Sequence, residues 1–119
     1  MASLSLRIRL QSGERIGPGK IDLLEEIAES GSISAASRRL GMSYRRAWDL
    51  VEELNTMFAE PVVTSQIGGR KGGGAALTPH GQAVVARYRE IERTATELAR
   101  TQLDELQSEA ALGDPTGAR

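Results

Sequence analysis

The chain has 119 residues, a net charge of −1 at pH 7 and no cysteine. That length suits about one domain with a modest core, and the lack of thiols excludes disulfides and cysteine-ligated metal sites. No apolar run approaches the roughly 18 residues of a membrane span and no signal-peptide pattern begins the sequence, so we expect a cytoplasmic protein without a membrane partner.

The N-terminal segment alternates apolar and polar residues from Leu4 to Leu10. Alternation with a period of two predicts a half-buried strand. The glycine and proline residues that follow predict a turn-rich connection. Residues 1–16 are therefore expected to form an N-terminal strand and its connection. The pattern leaves open whether this strand pairs with the wing of its own chain or with a second subunit.

Three helices are predicted next. From Pro18, apolar residues recur at helical spacing, with Ile21, Leu24, Ile27 and Ala28 on one face and acidic residues on an expected solvent face. Either Ser32 or Ser34 can cap a short second helix, which Gly41 ends. Ser43 can cap a third helix, "YRRAWDLVEELNTMF", whose predicted buried stripe is Ala47, Leu50, Val51, Leu54 and Phe58.

A hairpin is predicted after Pro61, which ends the third helix. The β-branched stretch "VVTSQI" predicts one strand and "GAAL" a weaker return strand. The loop between them is rich in glycine and carries Arg70 and Lys71. Residues 17–78 then form a winged helix-turn-helix domain.

A long last helix is predicted to begin with Thr78 as its cap and Pro79 as its first residue. No proline or glycine follows Gly81 before about Ser108, so the helix would be roughly 40 Å long or more. Its apolar positions follow a near-heptad spacing that favours a partner helix: Val84, Tyr88, Ile91, Ala95 and Leu98. Residues 79–108 are therefore predicted to form a dimerisation helix, and residues 109–119 a disordered tail.

The order of these elements predicts a mostly α protein with a small β component. The predicted fold is a winged helix-turn-helix with an N-terminal strand and a long C-terminal dimerisation helix. In such folds the third helix enters the major groove of double-stranded DNA with its first residues at the base edges. Basic residues are locally concentrated there although the net charge is −1. The candidate DNA contacts are Ser43, Tyr44, Arg45 and Arg46 in the groove, Arg38 and Arg39 beside the backbone, and Arg70 and Lys71 in the wing.

Two segments resemble the N-terminal DNA-binding domain of molybdate-responsive ModE-type regulators, and more distantly LysR-type regulators: "GSISAASRRLGMSYRRAWDLVEELN" and "PVVTSQIGGRKGGGAALTPHGQ". The shared features are a small-residue second helix, an S-Y-basic-x-A-W third helix and a glycine-rich wing closing in L-T-x-x-G. The resemblance implies a transcriptional regulator that binds a pseudo-palindromic site as a homodimer, with a link to molybdenum metabolism. ModE-type proteins continue into molybdate-binding domains, whereas this sequence ends at Arg119, so molybdate binding is not expected.

Other functions remain open. The glycine-rich loop could bind a nucleotide, but Lys71 is followed by Gly72 and not by the Ser or Thr of a P-loop. His80 has no ligand or catalytic partners at suitable spacing, so we expect a solvated residue, no metal, no cofactor and no enzyme activity. Trp48 is expected to pack. An alternative is a winged-helix interaction module, or a heterodimer partner of a full-length regulator, with little DNA binding.

Overall fold

The computed structural model describes residues 1–66 and 74–111. The elements are β1 (Ile8–Arg9), β2 (Arg15–Ile16), α1 (Pro18–Ser30), α2 (Ile33–Arg39), α3 (Tyr44–Met57), β3 (Val63–Gln66), β4 (Gly74–Leu77), α4 (Pro79–Leu98) and α5 (Arg100–Glu109). The strands form two separate antiparallel pairs, β1 with β2 and β3 with β4. The predicted fold class, mostly α with a small β component, is confirmed. No helix in residues 1–66 or 74–111 is long and apolar enough to cross a membrane.

The N-terminal segment keeps the predicted alternation but forms a shorter strand. From Leu4 to Leu10 the apolar side chains are half-buried and the polar ones are exposed. Only Ile8–Arg9 is hydrogen-bonded as a strand, and it pairs with Arg15–Ile16, inside the stretch predicted as a turn. Gly13 has φ of 95° and allows the tight return between them. Within the chain the strand therefore pairs with β2 and not with the wing, which was one of the two partners that the sequence left open.

The helix starts follow the predicted capping residues. The hydroxyls of Ser32, Ser43 and Thr78 each accept a backbone N–H from three residues further on, at 2.9, 3.0 and 2.9 Å. Ser32, rather than Ser34, is the cap of α2. Pro18 begins α1 without a side-chain cap. These bonds satisfy backbone donors that a helix leaves free at its start, so short-range patterns set the starts of α2, α3 and α4.

The core is aliphatic, as the scarcity of aromatic residues suggests. The largest fully buried side chains are Ile21, Leu23, Leu24, Ile27, Leu54 and Val62. Leu23 was absent from the predicted stripe of α1, whereas Ala28 was included in it and is exposed. The reason is that α1 packs against α2, α3, α4 and β4, so it is buried over more than one face. The predicted stripe of α3 is confirmed from Ala47 to Leu54, and Phe58 is half-buried.

The acidic face of α1 is paired, which its sequence pattern did not predict. Its carboxylates remain partly exposed but each binds an arginine of a neighbouring helix: Asp22 and Glu25 bind Arg89 of α4, and Glu26 and Glu29 bind Arg39 of α2. Two hydrogen bonds of 2.7 and 3.1 Å join Arg89 to Glu25. Hydrogen bonding to Arg89 holds the pKa of Glu25 below its ordinary value. This face therefore links α1 to α2 and α4.

The predicted single C-terminal helix is divided at Ala99, whose φ and ψ are −95° and 4°. No proline or glycine causes the break. The second part, α5, is held by contacts outside the helix, since Arg100 donates to the carbonyl of Ala2 at 3.1 Å and Leu103 is buried. These contacts accompany the division, although the N–H groups of Ala99 and Leu103 keep the i−4 hydrogen bonds of a continuous helix, at 3.0 and 2.8 Å. Glu109 ends α5, and residues 112–119 of the predicted tail lie outside the described residues.

Asn55 joins the end of α3 to the start of the wing. Its Oδ1 accepts the backbone N–H groups of Val62 and Val63 at 2.8 and 3.0 Å. Its Nδ2 donates to the carbonyl of Val63 at 3.1 Å. Both valines are buried, so water cannot readily replace these bonds. Nothing in the sequence pattern identified this residue, because its partners lie beyond Pro61 in a different element.

Replacing Asn55 by alanine is expected to lower the free energy of unfolding by about 2–4 kcal/mol, because it leaves buried backbone groups without partners. Urea denaturation followed by circular dichroism measures the effect. The control is Thr56→Ala, whose exposed hydroxyl bonds only to Glu53 in its own helix and should change stability by less than about 0.5 kcal/mol. Equal urea midpoints for the two variants would contradict the role given to Asn55.

Candidate nucleic-acid interface

The first turn of α3 projects from the protein surface. Ser43, Tyr44, Arg45 and Arg46 are all exposed, whereas Ala47 is fully buried against the core. The turn before it is closed by Gly41, with φ of 67°, and by the N–H of Met42, which donates to the carbonyl of Ser37 at 3.0 Å. The rigid turn thus presents one exposed helix end, which is the geometry required to enter a DNA major groove.

Arg45 and Arg46 differ in their present partners. The Nε of Arg45 lies 3.4 Å from a carboxylate oxygen of Asp49, and both side chains are mostly exposed. An exposed pair of this kind stabilises by only about 0–1 kcal/mol, so a guanine edge can compete for the guanidinium. Arg46 has no carboxylate partner in the part of the chain that the structure describes. Both arginines are therefore accessible from solvent.

Tyr44 and Trp48 form a hydrogen-bonded pair one turn apart on α3. The indole Nε1 of Trp48 donates to the Tyr44 hydroxyl at 2.6 Å. Trp48 was expected to pack, yet it is 36% exposed, and Tyr44 is 53% exposed. The tyrosine hydroxyl accepts this bond and keeps its own proton for another acceptor, such as a phosphate oxygen. The pair therefore adds a rigid aromatic surface beside the two arginines.

A groove of about 380 Å³ connects this aromatic pair to α2 and the wing. Its walls include Ser32 and Ser34 at the start of α2, and Gln66 in β3. The wing is joined to the C-terminal end of α1, because the N–H of Ala75 donates to the carbonyl of Gly31 at 2.9 Å. The last described rung of the hairpin pairs Gln66 with Gly74. The predicted contacts Arg70 and Lys71 lie outside the described residues.

The two arginines that end α2 have different surroundings. Arg38 is exposed and donates to the Ser34 hydroxyl at 2.8 Å. Arg39 instead binds Glu26 and Glu29, each at 3.1 Å. Its pKa is raised, chiefly by the hydrogen bond to Glu26. The sequence analysis placed the two residues together because they are adjacent in the chain. In the structure, two carboxylates neutralise the charge of Arg39, whereas Arg38 has no carboxylate partner among the described residues.

The predicted dimerisation seam on α4 is partly used within the chain. Tyr88 is only 2% exposed, and its hydroxyl donates to the carbonyl of Leu6 at 2.6 Å. Burial raises the pKa of this hydroxyl. Val84 and Ala95 are half-buried, whereas Ile91 and Leu98 are 41% and 85% exposed. Tyr88 therefore packs in its own domain, and the seam becomes accessible toward the end of α4.

His80 is half-buried, whereas the sequence suggested a solvated residue. Its ring meets Phe58 edge to face, with the ring centroids 5.7 Å apart. Its Nε2 is buried and has no hydrogen-bond partner within the described ranges. It lies in an apolar groove between α4 and the β1–β2 hairpin. In residues 1–66 and 74–111, no group of three or more His, Cys, Asp or Glu side chains is arranged to hold a metal ion.

Comparison with known proteins also identifies a helix-turn-helix domain in this chain. Residues 19–82 match the family model described as bacterial regulatory helix-turn-helix protein, lysR family. The molybdenum-pterin-binding protein MopB of Rhodobacter capsulatus is 49% identical over 82 residues, which are 69% of this chain and 30% of that protein. The DNA-binding transcriptional dual regulator ModE of Escherichia coli is 40% identical over 87 residues, 73% of this chain and 33% of that protein. The chain thus spans about a third of the length of these relatives.

A solved structure shows the same fold. The full-length LTTR LysG from Corynebacterium glutamicum with bound effector Arg aligns with a TM-score of 0.56 over 82% of this chain and 31% of that chain. The two sequences are 23% identical over the aligned part. At this level of identity the likeness concerns the fold alone.

Proposed function

Because this chain belongs to the bacterial regulatory helix-turn-helix proteins of the lysR family, we propose that it is a transcriptional regulator that binds a pseudo-palindromic DNA site as a homodimer in the cytoplasm. The family consists of transcription regulators and not of enzymes. The observation that carries the proposal is the exposed first turn of α3, where two arginines and a tyrosine project beside a buried alanine.

The exposed residues divide between base and phosphate contacts. Arg45 and Arg46 have guanidinium groups that match guanine O6 and N7 with two parallel hydrogen bonds. Ser43, Tyr44 and Arg38 carry donors suited to phosphate oxygens, which fix the position of the protein without reading sequence. Arg70 and Lys71 are proposed as wing contacts on their sequence alone. Arg39 is the weakest of the proposed contacts, because DNA would have to displace two carboxylates.

The proposed dimer joins two chains through the accessible end of α4. Ile91 and Leu98 supply exposed apolar area on the near-heptad seam. A two-fold axis there would place two recognition helices in successive major grooves, about 34–36 Å apart. Val84 and Ala95 are half-buried and would contribute less.

A link to molybdenum metabolism is proposed from the names of the relatives, which include a molybdenum-pterin-binding protein and the molybdenum transport protein ModE of Azotobacter vinelandii. No residue in the described part of this chain is assigned to molybdate. Control of the DNA binding by molybdate is therefore not part of the proposal.

DNase footprinting of the purified protein on its own upstream region, at two salt concentrations, tests the proposed function. We expect two protected half-sites about 10–10.5 base pairs apart, centre to centre, and a steep loss of protection at the higher salt. A folded protein that gives no footprint at low salt, but associates with a full-length relative, would support the interaction module instead. A single unpaired half-site would contradict the homodimer.

Leu98→Asp is expected to raise the dimer dissociation constant at least about tenfold, because a carboxylate would replace an exposed leucine at the subunit contact and lose its hydration there. Leu98 is 85% exposed, so the fold of the single chain should be unaffected. Sedimentation equilibrium measures the change. The matched control is Ala86→Asp, on the exposed opposite face of α4. Identical association of the two variants would exclude this seam as the interface.

A further inference from the structure

A second basic surface lies beside the recognition helix and was not apparent from the sequence. It is a cavity of about 470 Å³ between the β1–β2 hairpin, the start of α1 and the first turn of α3. Four basic side chains from these elements line it: Arg7, Arg15, Lys20 and Arg46. Three of them come from the first 20 residues of the chain and Arg46 comes from α3, so only the fold brings Arg46 beside the other three.

The positive charge of this cavity is poorly compensated. Glu53 is the acidic residue among its lining side chains, and it binds Lys20 at 3.1 Å. The other three basic residues are exposed and have no carboxylate partner in residues 1–66 and 74–111. Elsewhere, Arg39, Arg89 and Arg93 are each held by two or more carboxylates. Converging cations without acidic partners favour an external anion.

The cavity adjoins the proposed DNA-binding surface. Arg46 belongs to the first turn of α3, and Met42 of the helix-turn-helix turn also lines the cavity. A duplex whose major groove receives α3 has its phosphate backbone beside that turn. The uncapped start of α1, at Gly17 and Pro18, lies at the same cavity and adds a smaller favourable field for negative charge.

We propose that this basic cavity binds a backbone phosphate of the DNA next to the recognition helix, so that the β1–β2 hairpin is a DNA-contacting element in addition to α3 and the wing. The inference rests on the proposed function, and it assigns Arg7 and Arg15 a role that the helix-turn-helix motif does not include. Because a phosphate contact carries no sequence information, the hairpin should strengthen binding to specific and mixed-sequence DNA by the same factor.

The test uses Arg7→Ala/Arg15→Ala and measures DNA affinity against salt concentration by fluorescence anisotropy. Each phosphate contact contributes about −0.9 to the slope of log K against log salt. Loss of one contact should therefore make the slope less steep by about one, and weaken binding about eightfold at 0.1 M salt. The factor by which the affinity falls should be equal for the footprinted site and for a mixed-sequence duplex. Thermal unfolding of the free variant should be unchanged, because both side chains are exposed.

Two further variants make the result specific to the cavity. Arg9→Ala/Arg93→Ala removes the same two positive charges at exposed residues outside the cavity lining, and should leave the slope nearly unchanged. Glu53→Gln removes the acidic group that lines the cavity and should strengthen DNA binding several-fold. Its control is Glu60→Gln, at an exposed residue outside the cavity lining, and this variant should bind as the wild type does.

The outcomes separate this inference from the proposed function. If the wild type binds DNA but the double variant keeps the wild-type slope and affinity, the hairpin contact is wrong and the helix-turn-helix function stands. If the wild type binds no DNA, the proposed function itself fails. Calorimetry with inorganic phosphate distinguishes the source of the anion. The assignment to a DNA phosphate would be overturned if the double variant no longer bound inorganic phosphate but kept the wild-type slope of log K for DNA against log salt.

Discussion

The double variant Arg45→Ala/Arg46→Ala is expected to bind the footprinted DNA site about a hundredfold more weakly than the wild type. Each arginine can make two parallel hydrogen bonds to a guanine, which discriminate against other bases by about 1–3 kcal/mol. Two such contacts account for about 2–6 kcal/mol of binding free energy. A hundredfold change in the dissociation constant corresponds to about 2.7 kcal/mol. Quantitative gel shift against the footprinted site measures the loss.

The structure makes this variant a clean test of base contact. Both side chains are exposed, and the bond of Arg45 to Asp49 is a surface pair, so the fold should persist. The control Arg9→Ala/Arg93→Ala loses the same charge at exposed positions outside the recognition helix. In Arg45→Ala/Arg46→Ala, the affinity for the footprinted site should fall more than the affinity for mixed-sequence DNA. In the control, the two affinities should fall by similar factors. Equal specific binding by the two double variants would refute the base-contact assignment.

Gly81→Ala is expected to lower the free energy of unfolding by about 3 kcal/mol, through overpacking against the backbone. An added Cβ would lie 2.1 Å from the carbonyl oxygen of Val62 and 2.9 Å from its carbonyl carbon. The backbone at Val62, just before β3, cannot easily move away from the added Cβ. The N–H of Val62 is bound by Asn55, and its carbonyl accepts the N–H of Thr78 at 3.0 Å. A loss of this size is large for a domain whose total stability is about 5–15 kcal/mol.

Thermal and urea unfolding measure the effect of Gly81→Ala. The matched control is Gly19→Ala in α1, where an added Cβ would meet no atom within 4 Å. Alanine there should be neutral or stabilise by up to about 1 kcal/mol, because it reduces the freedom of the unfolded chain. If the two alanine variants unfold at the same midpoint, the close approach of α4 to Val62 does not constrain the fold as proposed.

The short-range features of this protein were predictable from its sequence. Ser43 and Thr78 are helix caps as expected, and Pro18 begins α1. The alternation around Ile8 and the apolar stripe of α3 both appear in the burial pattern. Capping bonds reach three residues along the chain, and the hydrophobic periods are properties of each element alone. Both can therefore be read without knowledge of the fold.

The candidate site was only partly predictable for the same reason. Arg45 lies just before Ala47, the first residue of the buried stripe of α3, and is not part of that stripe. Its exposed position could therefore be predicted. The pairing of Arg39 with α1 could not, because its partners are 10 and 13 residues away in another helix. Arg15 lay in a stretch interpreted as a turn, and its nearness to α3 depends on the β1–β2 pairing. Sequence reasoning therefore found the exposed first turn of α3 and missed the cavity beside it.

The sequence by itself determined the three helices of the helix-turn-helix and the hairpin after them, the helix starts at capped residues and the kind of domain they form. Only the tertiary structure decided which charges are neutralised, where the last helix divides, and which seam residues remain accessible. The bond from Tyr88 to Leu6 joins residues 82 positions apart, and the bond from Arg100 to Ala2 joins residues 98 positions apart. Such contacts depend on the packing of the whole chain, because no local pattern specifies which distant group lies within hydrogen-bond reach.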